Sequence, residues 1–216
     1  MGTTLSLYAC GREAALIWDW LKRERVAKTG RMNPCTVYLS DVCGLNAFHQ
    51  TLKLRACPWC FQISYLIFNG GLIGYDWRGG SKRQVRGKRV FCSNRWSRRG
   101  CGRSFPVLFS FLLKGRMIPA MLVVAFVSKV LEGATRRSAW LSLAHGFSLE
   151  SGYRLWADWL AAQSHVRSWL ARMGSPPEVG SDGPSQTWAH LRQVFGNQSC
   201  PISAFQEQFQ QPFFPN

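Results

Sequence analysis

Four cysteines constrain this chain more tightly than anything else in it. Cys57-Pro58-Trp59-Cys60 has the C-x-x-C spacing with which one tight turn offers two thiolates to a single metal, and such a turn needs two further ligands. Cys92 and Cys101 are the candidates. Eight residues separate that pair, Ser93-Asn94-Arg95-Trp96-Ser97-Arg98-Arg99-Gly100, so a loop must bulge out before the chain returns. Four thiolates at about 2.3 Å from a metal close a tetrahedral site and leave no position for a substrate water. The expected cofactor is therefore a structural Zn2+ held by Cys57, Cys60, Cys92 and Cys101. Two other readings stay open. A C-x-x-C can be a redox pair, which wants a thioredoxin-like βαβ setting, whereas the residues after Cys60 read as a strand; or the thiols hold no ligand. Cys10, Cys35, Cys43 and Cys200 lack paired spacing and read as small buried hydrophobes.

Eight cysteines among 216 residues are too few for a disulfide scaffold, and residues 1–7 lack the charged-then-apolar order of a secretory signal. A reducing, cytoplasmic compartment is expected. The most apolar run, 117–127, is bounded by Lys114, Arg116 and Lys129, well short of the roughly 20 residues a bilayer needs, so it reads as a core helix with no membrane partner.

Periodicity divides the rest. Residues 12–28 carry apolar side chains at near-helical spacing and stop at Gly30; a short strand over 36–39 and a helix capped by Ser40 or Asp41 and running to Leu52 follow. Short β-type runs at 63–68, 84–91 and 105–109, separated by glycine pairs and Gly100, make a small loop-rich unit. Helical period returns over 118–173, with breaks at Gly133, at Gly146 and near Ser164. A Gly-, Ser- and Pro-rich linker, a weak helix over 188–194 and a Gln- and Phe-containing tail close the chain, the tail without assigned structure. The expected fold class is α+β: an N-terminal helical segment (1–54), a basic β zinc ribbon (55–116), a helical, helix-turn-helix-like module (117–173), and a linker with tail (174–216).

Charge narrows the partner. Lys and Arg number 27 against 11 Asp and Glu, a net charge of +16, and an excess of this size is most simply explained by a polyanion. Between Trp77 and Arg116 there is no Asp or Glu, while Arg78, Lys82, Arg83, Arg86, Lys88, Arg89, Arg95, Arg98, Arg99 and Arg103 all lie there. Each cation set against a phosphate releases counterions, giving salt-sensitive affinity without sequence choice. Tyr75, Trp77, Phe91, Trp96 and Phe105 interleave with the charges, either to stack on exposed bases or to fill the ribbon's small core. Phe91 and Phe105 read as core and Trp96 as contact. A solvated basic face with no ligand is the plain alternative.

The segments Cys57-Pro58-Trp59-Cys60, Arg86-Gly87-Lys88-Arg89-Val90-Phe91-Cys92-Ser93-Asn94-Arg95 and Arg99-Gly100-Cys101-Gly102-Arg103-Ser104-Phe105 together resemble the zinc ribbons that open many bacterial insertion-sequence transposases. In that family a CPxC turn, a basic strand, a second cysteine pair and a Gly-Arg-Ser/Thr-Phe ending precede a helix-turn-helix. The resemblance spans roughly 55–173. It departs in the second cysteine pair, spaced by eight residues where the family has two, and in lacking the family's catalytic domain.

Helices over 136–144 and from Ser148, joined at His145-Gly146-Phe147, have the proportions of a helix-turn-helix. Leu149, Leu155, Trp156, Trp159 and Leu160 would be the buried side. Ser151, Tyr153 and Arg154 would face base edges beside Glu150, and Arg136 and Arg137 would position phosphates. The same pattern also occurs in unrelated α-domains. No phosphate loop, H-E-x-x-H or G-x-S-x-G is present, the carboxylates are scattered singly, and after Met173 too little chain follows for an RNase H-like domain, so no enzyme is expected. The expectation is a zinc-containing, nucleoid-associated DNA-binding protein, an accessory or regulatory product of a mobile element that favours duplex DNA and has a protein partner from the same system. The alternative is an RNA-binding or protein-assembly subunit anchored by the basic ribbon.

Overall fold

The computed structural model describes residues 35–75, 83–144, 146–178, 182–196 and 198–215. The helix expected over 12–28 lies outside these, as do Arg78, Lys82, Trp77 and Cys10. The chain is α+β and divides into two compact units, one of residues 35–73 with 85–109, the other of 74–75, 83–84 and 110 onward.

The first unit is a four-stranded sheet with one helix. Strand β1 (Val37–Leu39) is apolar and buried throughout. Asp41 then caps helix α1 (Val42–Thr51) by accepting a hydrogen bond from the Gly44 amide at 2.8 Å. The helix buries Leu45 and Phe48 and ends in a 3-10 turn at Leu52–Leu54. Strands β2 (Leu66–Tyr75), β3 (Arg83–Cys92) and β4 (Ser104–Phe109) follow, in the sheet order β1-β4-β3-β2.

In β4 the period-2 rule is plain: Phe105, Val107 and Phe109 are buried and the residues between them are not. Strand β3 runs antiparallel to β4, pairing Val90 with Phe105, while β1 lies parallel on its other side, pairing Val37 with Val107. A β-carbon at Gly87 would meet the Val107 backbone, so this close approach requires glycine. Strand β1, ahead of residue 55, thus lies in the same sheet as the three strands that follow it. Tyr38, Phe48, Leu52, Leu66, Val90 and Phe105 form the core, each large apolar side chain contributing about 1.5–3 kcal/mol.

The second unit is helical. The apolar run forms α2 (Ala120–Leu131), buried at Leu122, Val123, Phe126 and Val127, and no helix among the described residues is long and apolar enough to cross a membrane. Thr135 caps α3 (Arg136–Leu143), and α4 (Leu149–Leu170) follows. The break expected near Ser164 does not exist: α4 is one helix of 22 residues. Gln163 is buried and its amide donates back to the Trp159 carbonyl at 2.7 Å, so a polar stretch is absorbed within the helix and does not end it. Leu160, expected on the buried side, is 44% exposed.

Beyond residue 174 the chain is more ordered than its composition suggests. Asp182 caps α5 (Gly183–Phe195), with Pro184 in its first turn, and α6 (Pro201–Phe209) occupies the tail. Phe205, Phe209, Phe213 and Phe214 are all buried. Phe213 stacks on Trp159 at 5.9 Å between centroids, and Trp188 meets the same indole edge-on at 5.9 Å. Gln206 clasps the turn: its amide nitrogen donates to the Leu112 carbonyl at 3.1 Å and its oxygen accepts from the Phe213 amide at 3.2 Å. Of the three described cysteines that lie apart from the quartet, Cys200 is buried as expected, whereas Cys35 is half-buried and Cys43 exposed.

Candidate metal centre and its basic loop

Two turns in the first unit bring four sulfurs together. In the first turn the Phe61 amide donates to the Cys57 carbonyl at 2.9 Å, the Cys57 amide to the Gln62 carbonyl at 2.8 Å, and the Trp59 amide points at the Cys57 sulfur, 3.5 Å away. Phe61 takes the left-handed conformation (φ 59°) needed to turn the chain after the second cysteine. In the second turn the Cys92 amide donates to the Arg103 carbonyl at 2.9 Å, the Gly102 amide to the Cys92 carbonyl at 3.0 Å, and the Cys101 amide to the Cys92 sulfur at 3.3 Å. Gly102 (φ 73°) stands after Cys101 as Phe61 stands after Cys60.

The sulfurs of Cys57, Cys60, Cys92 and Cys101 all lie within 4.8 Å of one another, with Cys57–Cys101 at 3.6 Å and Cys60–Cys92 at 3.7 Å. A tetrahedron with metal–sulfur bonds of 2.3 Å has edges of about 3.8 Å. The cluster can therefore hold a metal ion and is compatible with zinc. Burial pushes the Cys57 and Cys92 thiols up from their ordinary range, and at Cys60 burial acts the same way but is outweighed by hydrogen bonds, first from the Gln62 backbone. Among the described residues no other group of three or more His, Cys, Asp or Glu converges on a common point. Asp158 is paired with Arg116 at 2.6 Å, Glu207 accepts from the Ser110 hydroxyl, and Asp41 and Asp182 cap helices.

The wide cysteine spacing has a local explanation. The Gly100 amide donates to the Ser93 carbonyl at 3.2 Å, and the Ser93 amide is itself held by the Tyr65 carbonyl at 2.8 Å. A β-carbon on Gly100 would collide with that Ser93 carbonyl. Across this neck, Cys92-Ser93-Gly100-Cys101 is a C-x-x-C turn interrupted by six residues, 94–99. Sequence reasoning misses the part played by Ser93, Gly100 and Gly102, although the frame Cys-Ser…Gly-Cys-Gly is there to be read.

The six inserted residues stand in solvent. Trp96 is 90% exposed, Arg95, Arg98 and Arg99 are exposed, and the Arg95 guanidinium lies over the Phe91 ring at 5.3 Å. Trp96 and Ser97 both sit in the left-handed region (φ 56° and 60°), at an order-of-magnitude cost of about 1–3 kcal/mol each. Of the other expected contact residues in this stretch, Arg83, Arg89 and Arg103 are exposed, whereas Arg86 and Lys88 are half-buried. Phe105 is core and packs on Trp59 at 5.7 Å, while Phe91 is only half-buried.

In the helical unit, Gly146 (φ 93°) turns the chain between α3 and α4, and the Trp140 indole donates to the Ser148 carbonyl at 2.9 Å. A β-carbon on Gly152 would lie 2.6 Å from the Trp140 ring, so the two helices meet there closely. Arg136 and Arg137 are exposed at the start of α3, and the Arg136 guanidinium is 5.9 Å from the Trp156 ring. Tyr153 and Arg154 are exposed, and Ser151 is half-buried with its hydroxyl 3.2 Å from that of Ser148. No protein-family model, curated protein or solved structure matches the chain.

Proposed function

We propose that this chain is a nucleic-acid-binding protein, with duplex DNA its favoured ligand, in which a structural zinc ion at Cys57, Cys60, Cys92 and Cys101 holds a basic loop in place. The observation that carries the reading is the loop itself: three arginines and a tryptophan stand in solvent on a turn closed by two of the four clustered cysteines. A side chain exposed for no ligand would not need such an anchorage. The acid-free stretch around it supplies further cations for phosphates. The short turn between α3 and α4, with Arg154 and Tyr153 exposed early in the second helix, supports a helix-turn-helix role in which those residues meet base edges and Arg136 and Arg137 meet phosphates. In this reading the ribbon's likeness to insertion-sequence transposases makes the chain an accessory or regulatory protein of a mobile element, without strand-cutting activity of its own.

The test is competition binding with duplex DNA, single strands and RNA at about 50 and 200 mM salt. Duplex DNA should compete best. Replacing Arg95, Arg98 and Arg99 with Ala should weaken binding to all sequences alike and reduce the slope of log affinity against log salt by about 2–3, close to 0.9 for each phosphate that is no longer neutralised. An unchanged affinity and slope would refute the reading, and preferential capture of RNA would replace its ligand.

A further inference from the structure

We infer that residues 94–99 form a stacking finger that recognises an unpaired nucleobase, so that the preferred ligand is a duplex carrying a single-stranded end or interruption. This rests on the nucleic-acid reading above and specifies its target. Three observations converge on it. First, Trp96 is 90% exposed on a loop whose ends are pinned at the Ser93–Gly100 neck, so the indole is presented and not tucked under its own fold. Second, Trp96 and Ser97 hold consecutive left-handed conformations with no glycine to ease them, a strain that persists where the surrounding structure fixes it and that collects at ligand-contacting sites. Third, Arg95 precedes and Arg98 and Arg99 follow Trp96 within the same exposed loop, and Arg95 is steadied by the Phe91 ring, so cations for phosphates neighbour a single exposed aromatic along the chain.

An indole binds a base by covering its π-face, and in an intact duplex those faces are already covered by neighbouring base pairs. Arginines alone would suit a duplex backbone. The exposed tryptophan among them adds affinity only where a base face is open. Stacking also needs no particular base, so the finger selects for an unpaired position and not for sequence.

The measurement is fluorescence anisotropy with the full, metal-loaded chain and two probes: a blunt duplex of about twenty base pairs, and the same duplex with a short thymine overhang. The wild-type chain should bind the tailed probe about fivefold to a hundredfold more tightly, the range that one stacked base provides. Trp96→Ala should lower affinity for the tailed probe far more than for the blunt duplex, so that the preference disappears while the salt slope stays as it was, and Trp96→Phe should keep part of it. Equal wild-type affinity for the two probes, or a preference that survives Trp96→Ala, overturns the finger and leaves the nucleic-acid reading standing. A uniform loss on both probes in Trp96→Ala makes Trp96 a general contact and also overturns it. Absence of wild-type binding to either probe defeats both.

Discussion

At Gly100 a β-carbon would run into the Ser93 carbonyl, and Gly102 holds a left-handed backbone directly after a candidate ligand. Gly100→Ala should therefore open the neck and weaken metal binding, measured by competition with a chromophoric zinc chelator, whereas the same change at exposed Gly133 should leave metal affinity alone. Cys92→Ser should drop metal content from about one equivalent to near zero and unfold the first unit. In the helical unit the informative residue is His190, 1% exposed, with its Nε2 buried and unpaired and its pKa lowered by burial; His165 is shifted the same way for the same cause. An unfolded histidine protonates near pH 6.5, before either folded one does, so stability is complete above that pH and falls as the pH drops below it. Urea midpoints at pH 7.5 and 5.5 should show this loss, and replacing both histidines with Gln should shrink it. The clustering of the four cysteines was legible in the sequence because the two-residue spacing of Cys57 and Cys60 is a local signature of metal turns and calls for a second pair. The neck was not, since six intervening residues hide a hydrogen bond that only three dimensions bring together.

Removal of residues 94–99 should leave a C-x-x-C turn of ordinary span, Cys92-Ser93-Gly100-Cys101, and the shortened chain should still bind about one equivalent of metal; loss of metal would mean the insertion is part of the scaffold. Helix α5 is capped by Asp182, which accepts from the Ser185 amide at 2.6 Å, and Asp182→Ala should lower the urea midpoint of the helical unit. Strands β1, β3 and β4, α1 with its Asp41 cap and the glycine turn before α4 were readable because alternation, caps and turn residues are local signals, whereas β2 runs Leu66–Tyr75 through the Gly70-Gly71 pair that reads as a separator. The continuity of α4 and the order of the tail were not. Gln163, Ser164 and His165 look like a break until one sees Gln163 buried and bonded to its own helix. The Gln- and Phe-containing tail reads as unstructured, yet Phe205 and Phe209 stand one turn apart on α6, Phe205 meets Phe213, and Phe213 stacks on Trp159, so aromatic burial that composition masks decides the matter.

Each unit has its own core, one around Tyr38, Phe48 and Phe105 and the other around Phe126, Trp140 and Trp159, and only the first contains the cysteine cluster. Chelation should accordingly abolish the tertiary structure of the first unit while most helical circular dichroism persists, since α2 to α6 need no metal. Strand β1 adds a consequence for the order in which the first unit assembles. It lies parallel to β4, pairing Val37 with Val107 across seventy positions of chain, and parallel pairing over such a distance is slow to find. A metal joining Cys57 to Cys101 short-circuits that path to roughly 26 positions and lowers the entropy of closing it by about 0.9 kcal/mol. An ion held there would then act on the search as well as on the finished fold, with the last strand docking quickly only after the four cysteines had closed around it.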